Sequence, residues 1–160
     1  MTEVVQPAQS EPTVLVSNAA PDVTIVLPVQ TQKAEIDNVL AALGSTLEQL
    51  GYTWECILVF DGIKGRLWDH ATALQERTRD QVRTIALHKA FGESVCLSSA
   101  FEHARGGLIL TTPPYVQTDP DGLRSIFESI DDGADFVTTW RAGRVDSKLN
   151  QLQSFAFNWI

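Results

Sequence analysis

Apolar runs too short to be helices alternate along this chain with longer stretches of helical period. That alternation constrains the fold more than any other feature. The first run, Val23-Thr24-Ile25-Val26-Leu27, is rich in β-branched residues and is stopped by Pro28. It predicts a strand buried on both faces. Beyond it, Ile36, Val39, Leu40, Leu43, Leu47 and Leu50 recur at spacings of three and four, the stripe of an amphipathic helix that Gly51 is placed to end. The pattern then repeats. A strand is expected over 53–60, halted by Asp61-Gly62, then a weaker helix over Arg66–Arg77 and an alternating strand over Val82–Leu87. Residues 93–104 predict a helix stopped by Gly106-Gly107, followed by the short strand Leu108-Ile109-Leu110, ended by Pro113-Pro114. Residues 121–131 predict a helix with Leu123, Ile126, Phe127 and Ile130 inward, 136–140 a fifth strand and 147–160 a last helix.

Strands alternating with helices predict an α/β fold, a mainly parallel, Rossmann-like sheet with helices on both faces. Ligands of such sheets bind outside the carboxyl ends of the strands. Residues 1–21, polar and small with Pro7 and Pro12, predict a loose arm, leaving 22–160 as the folded domain.

Composition narrows the function classes. With 160 residues and 44% hydrophobic content the chain can bury a real core. A net charge of -8 argues against general nucleic-acid binding, which needs clustered Lys and Arg. No apolar run approaches the ~18 residues of a membrane-spanning helix. The start shows no basic segment followed by an apolar one, so a cytoplasmic location is expected. Cys56 and Cys96 form neither a disulfide framework nor a metal signature, and Cys56, inside an apolar run, reads as a buried reduced thiol.

Several residues stand at strand ends. Asp61 is placed either to accept a hydrogen bond from a ribose or base, or to bond nearby backbone amides as a turn residue. Gly92, just before a helix, allows close backbone approach or simply a turn. Arg141 and Arg144 follow the expected fifth strand, where two guanidinium forks suit a diphosphate, although solvated surface arginines are the commoner case. His70, His88 and His103 are dispersed without ligand spacing, and neither a nucleophile elbow nor a Walker motif is present.

The order of these segments resembles family 2 glycosyltransferases of the GT-A fold, especially the dolichyl- and polyprenyl-phosphate sugar transferases. Val23 to Val29 is similar to that family's V-S-I-V-I-P-V, and Cys56 to Gly62 to its I-I-F-V-D-D-G. The most specific stretch runs from Leu87 to Gly106, with Phe91-Gly92 and His103-Ala104-Arg105-Gly106 in register with the family pattern. The resemblance implies a nucleotide-diphosphosugar cleft with Pro28, Val29, Asp61, Gln117 and Arg141 as its binding residues, Arg141 near the phosphates. It also implies departures. Gln30-Thr31-Gln32 stands where the family has Tyr-Asn-Glu, and Phe60 replaces the first Asp of Asp-Asp-Gly. Counted without a gap, Pro113 and Tyr115 fall where the two aspartates of the Asp-x-Asp metal motif belong.

Neither Pro nor Tyr suits Mg²⁺ or Mn²⁺, which take carboxylate oxygens, so no metal cofactor is expected. The chain also ends where the family continues into the acceptor-side segment that carries the catalytic base. Asp121, which comes just before a helix in that family, reads as an N-terminal helix residue. Two readings follow: a transferase that moves sugar from a nucleotide-diphosphosugar to a lipid-phosphate or saccharide with weak or no activity, or a non-catalytic pseudo-glycosyltransferase that binds a nucleotide or acts as a scaffold. The last expected helix, from Ser147 to Ile160, carries Leu149, Leu152, Ala156 and Trp159. Docking onto the sheet is the first reading of that face, self-association or a protein partner the second and membrane contact the third.

Overall fold

A computed structural model describes residues 20–79, 81–116 and 119–139. The described residues fall into two compact units divided after Pro120. The first is built from β1 (Val23–Val29), α1 (Ile36–Leu50), β2 (Trp54–Asp61), α2 (Arg66–Arg77), β3 (Val82–Leu87), α3 (Glu93–Phe101) and β4 (Leu108–Thr111). The four strands form one parallel sheet in the order β3-β2-β1-β4.

That order dictates where the helices go. Right-handed crossovers from β1 to β2 to β3 put α1 and α2 on one face, and the return crossover to β4 puts α3 on the other. Side chains agree. On the α1/α2 face Phe60 of β2 meets Trp68 of α2 edge-on, with ring centroids 5.1 Å apart, and Trp54 Nε1 donates to Glu48 Oε1 of α1 at 3.2 Å. On the other face Val26, Ile57 and Val59 pack with Cys96 and Ala100 of α3, flanked by Ile85 and Leu87. Every residue of β1, and all of β2 after Trp54, is buried, as expected for central strands covered on both sides.

Several boundaries differ from the sequence expectations, β2, β4 and α4 by one residue and β1 and α3 more informatively. β1 does not stop at Pro28 but runs through it to Val29, paired with Val59 and Phe60. β4 pairs only as far as Val26, so at Pro28 the strand has one neighbour and the missing N–H breaks no ladder. α3 ends at Phe101 rather than at 104, because its exit tightens into turns: the His103 and Ala104 amides donate three residues back, to Ala100 and Phe101 carbonyls. The expected fifth strand is absent over its described part. Residues 136–139 pair with no strand among the described residues, and Phe136 is 82% exposed. β-branched composition favours extended backbone, but a strand exists only where a neighbour completes its ladder. Trp140, the last expected helix and the arm over 1–19 lie outside the described residues.

The amino ends of the strands are locked by charge. Glu55 of β2 is 1% exposed. Its Oε1 accepts from Thr24 Oγ1 at 2.9 Å and from the Arg105 amide at 2.8 Å, and its Oε2 from Arg83 and Arg105 guanidinium nitrogens at 2.9 and 2.7 Å. Arg83 also donates to the His103 carbonyl at 2.6 Å. Next in the chain, Gly106 lies on β1: its amide donates to Thr24 Oγ1 at 2.9 Å, and a Cβ on it would stand 2.5 Å from the Thr24 nitrogen. Burial pushes the Glu55 carboxyl up, but the Arg105 and Thr24 hydrogen bonds and the Arg83 charge hold it below its ordinary value.

In the second unit, α4 (Pro120–Asp131) has Asp121 in its first turn, as expected. Leu123 and Phe127 are its buried residues, whereas Ile126 and Ile130 are half-buried.

Candidate functional site

The carboxyl ends of the strands carry two joined features, a pinned loop and an open cleft. The pinned loop is 88–92, between β3 and α3. Asp61, the last residue of β2, is 5% exposed and reaches across to it. Its Oδ1 accepts the Phe91 amide at 2.6 Å and its Oδ2 the Gly92 amide at 3.0 Å, with Gln30 Nε2 of the β1–α1 loop donating to Oδ2 at 3.2 Å. Burial alone would raise this carboxyl, yet the three donors leave it below its ordinary value. Gly62, at φ 72°, completes the contact, since a Cβ there would come within 2.7 Å of the Ala90 nitrogen. Asp61-Gly62 and Phe91-Gly92, two sequence signals 30 residues apart, are thus the two halves of one contact. Beyond Asp61, the Phe91 ring stays 43% exposed, edge-on to His88 and with Lys89 Nζ 5.1 Å from its centroid.

The cleft, of about 440 Å³, lies between the exits of β1 and β4. Pro28, Gln30, Thr31 and Lys33 line it from the β1 side, Pro113 and Tyr115 from the β4 side, and Glu93 from the start of α3. The walls are tied together: the Glu35 amide donates to the Pro114 carbonyl at 2.7 Å, and the Thr112 amide to the Val26 carbonyl at 3.2 Å. The Gln30-Thr31-Gln32 stretch is a brace. Gln30 holds Asp61, Gln32 Nε2 donates to the Lys64 carbonyl at 2.5 Å, and Thr31 Oγ1 accepts the Lys33 amide at 3.2 Å.

The sequence-predicted residues distribute unevenly. Pro28, Pro113 and Tyr115 meet in the cleft, and Asp61 joins it through Gln30. Val29 is fully buried opposite Phe60 and its side chain is not in the lining. Phe60 is core, packed on Trp68. Gln117, Arg141 and Arg144 lie outside the described residues. Sequence reasoning missed Lys33, in the loop after β1, and Glu93, where the loop after β3 enters α3, although doubly wound sheets take ligands at such strand exits. It also missed Glu55, whose signal was a lone carboxylate inside a strand expected to be buried.

Among the described residues, no three His, Cys, Asp or Glu come together in a way that could hold a metal ion. His70 is instead paired with Asp37 at 2.9 Å, linking α2 to α1. Both cysteines are buried and free, and burial pushes the Cys96 thiol up to about 11, with the Asp61 charge adding to it. No helix among the described residues is long and apolar enough to cross a membrane.

A parallel sheet of this winding, with its cleft at the strand carboxyl ends, defines a Rossmann-like α/β domain of the GT-A kind. Its family follows from comparison with known proteins. The family model described as Glycosyl transferase family 2 matches residues 24–157, and the chain belongs to that family. It is similar to the undecaprenyl-phosphate 4-deoxy-4-formamido-L-arabinose transferase of Pseudomonas aeruginosa, at 30% identity over 136 residues, 85% of this chain and 40% of the relative. The enzyme of the same name from Salmonella newport is 26% identical over 145 residues, 89% of this chain and 44% of the relative. The chain therefore spans about two fifths of the length of these curated relatives.

Proposed function

We propose that this chain is a nucleotide-diphosphosugar-binding member of the family whose cleft works without a divalent metal and transfers sugar weakly or not at all. Its donor class would be a UDP- or GDP-sugar, and a polyprenyl-phosphate or saccharide would be the acceptor of any residual transfer. A cytoplasmic location belongs to the same reading. The observation that carries it is the chemistry of the cleft wall. Pro113 has no ligating side-chain atom, Tyr115 offers a phenol, and Glu93 is the carboxylate among the described lining residues. A hard divalent cation wants several carboxylate or carbonyl oxygens together, and this set does not fit one. A metal at a transferring diphosphate is worth several kcal/mol of transition-state stabilisation, so its loss costs about a hundredfold or more in rate.

Calorimetric titration with UDP- and GDP-sugars, with and without Mn²⁺, tests the reading. Metal-independent binding is the expected result, weakened in Arg141→Ala if that arginine joins the diphosphate. Metal-dependent micromolar binding would overturn the assignment of Pro113 and Tyr115. Absence of binding under every condition would favour the second reading, a scaffold acting through a partner.

A further inference from the structure

A diphosphate needs compensating positive charge wherever it leaves bulk water. Among the described residues, the cleft lining contains one cation, Lys33, and one carboxylate, Glu93. We propose that Lys33 is a diphosphate-binding residue of this cleft, a side-chain ammonium serving where no metal fits; the proposal rests on the nucleotide-diphosphosugar reading above.

Three observations converge on Lys33. The first is its place. It lies in the β1–α1 loop, at the carboxyl end of a central strand, where ligands of doubly wound sheets bind. The second is the state of its loop. The Gln30 and Gln32 side chains donate to Asp61 and to the Lys64 carbonyl, Thr31 Oγ1 accepts the Lys33 amide, and the Glu35 amide donates to the Pro114 carbonyl. The Lys33 side chain is exposed, and its ammonium is in no ion pair among the described residues. A rigid base with a free, solvated cation is the arrangement that binds an anion at low ordering cost.

The third observation is the poverty of the other walls. Pro113 and Pro114 have no backbone N–H to offer a phosphate, and the Tyr115 amide already donates to the Pro113 carbonyl at 2.8 Å. Glu93 repels an anion. Of the charged donors described nearby, Arg83 and Arg105 are bound to Glu55 at the other end of the sheet, and Lys89 lies over the Phe91 ring. Thr31 adds a neutral donor beside Lys33, because its oxygen accepts the Lys33 amide while its own O–H remains to donate.

The test is calorimetry of the full chain with UDP and with GDP in metal-free buffer, for wild type, Lys33→Gln and Lys33→Arg. The wild type should bind at least one diphosphate. Lys33→Gln should weaken that binding about tenfold or more, the scale of a charged hydrogen bond, and Lys33→Arg should restore most of it. Because the side chain is exposed, both variants should keep the wild-type melting temperature, which removes misfolding as an explanation. Wild-type binding that Lys33→Gln leaves intact would overturn the role of Lys33 alone. Equal loss in Lys33→Gln and Lys33→Arg would also overturn it, since charge would not be the cause. No wild-type binding of either diphosphate would remove the nucleotide reading itself, and Lys33 with it.

Discussion

The two ends of the β-sheet treat charge in opposite ways. At the amino end Glu55 is enclosed, and two guanidinium groups, a hydroxyl and a backbone amide converge on its two oxygens. At the carboxyl end Asp61 is held by backbone amides, while Lys33 and Glu93 face an open cleft. Asp61 lies six residues beyond Glu55 along β2, roughly 20 Å of extended chain. Charge that is closed on itself at one end serves the fold; charge left unpaired at the other is available to a ligand. The lesson bears on the resemblance. Arg105 and Gly106, part of its most recognisable motif, belong to the closed end, where they hold α3's exit against β1 and β2. A family signature there says how the sheet is assembled and little about what the cleft does.

The largest expected effect is at the closed end. Glu55→Gln should lower unfolding free energy by about 3 kcal/mol, measured by urea denaturation, with diphosphate binding per folded molecule unchanged. Removing one member of a buried ion cluster costs ~3–5 kcal/mol. The low end applies because the Arg83 and Arg105 side chains are 23% and 49% exposed, so water can partly solvate them. A loss under 1 kcal/mol would mean the cluster is no lock. Both ends should show in pH. Glu55 and Asp61 both have folded values below their ordinary 4.5 and 3.8. Their stabilisation is therefore complete above about pH 5 and is lost as pH falls through the folded values. Denaturation midpoints should be flat above that pH and drop below it, and Glu55→Gln should flatten part of the drop.

At the open end, Gly62→Ala should cost about 2 kcal/mol, because it combines a left-handed φ with a collision against the Lys89–Ala90 peptide. Unlike Glu55→Gln, it should also weaken diphosphate binding, since the 88–92 loop leads into Glu93 of the cleft wall. Asp61→Asn should cost about 1 kcal/mol, because the amide keeps one acceptor for the Phe91 and Gly92 N–H groups and loses the other. Binding impaired by Glu55→Gln as strongly as by Gly62→Ala would break the division between the two ends.

Periodicity made most of the fold legible. α1, α2 and β3 have the bounds that apolar spacing predicts, because their stripes are long or their ends are marked by turn residues. Pro28 misled because a proline stops a strand only where its N–H is needed, and that depends on how far β4 runs. The 136–139 stretch misled because ladder pairing is tertiary. Of the site, Asp61-Gly62 and Phe91-Gly92 were readable singly, but their mutual contact was not, since local pattern carries no information about which loops meet. Lys33 was invisible for a related reason: in sequence it is one more surface cation, and only the walls around it, two prolines and a carboxylate, give its charge a meaning.

The smallest stability effect should therefore belong to the residue with the largest binding role. Lys33→Gln should change unfolding free energy by less than about 0.5 kcal/mol, as expected for an exposed side chain without an ion pair. Paired urea melts of Lys33→Gln and Glu55→Gln, read beside their diphosphate titrations, would place the two substitutions at opposite corners: one folded and unable to bind, the other less stable and binding normally. A stability loss in Lys33→Gln comparable to that of Asp61→Asn would show that the β1–α1 loop needs its lysine as well as its glutamines. The open end would then be a second lock, differing from the first only in its exposure to water.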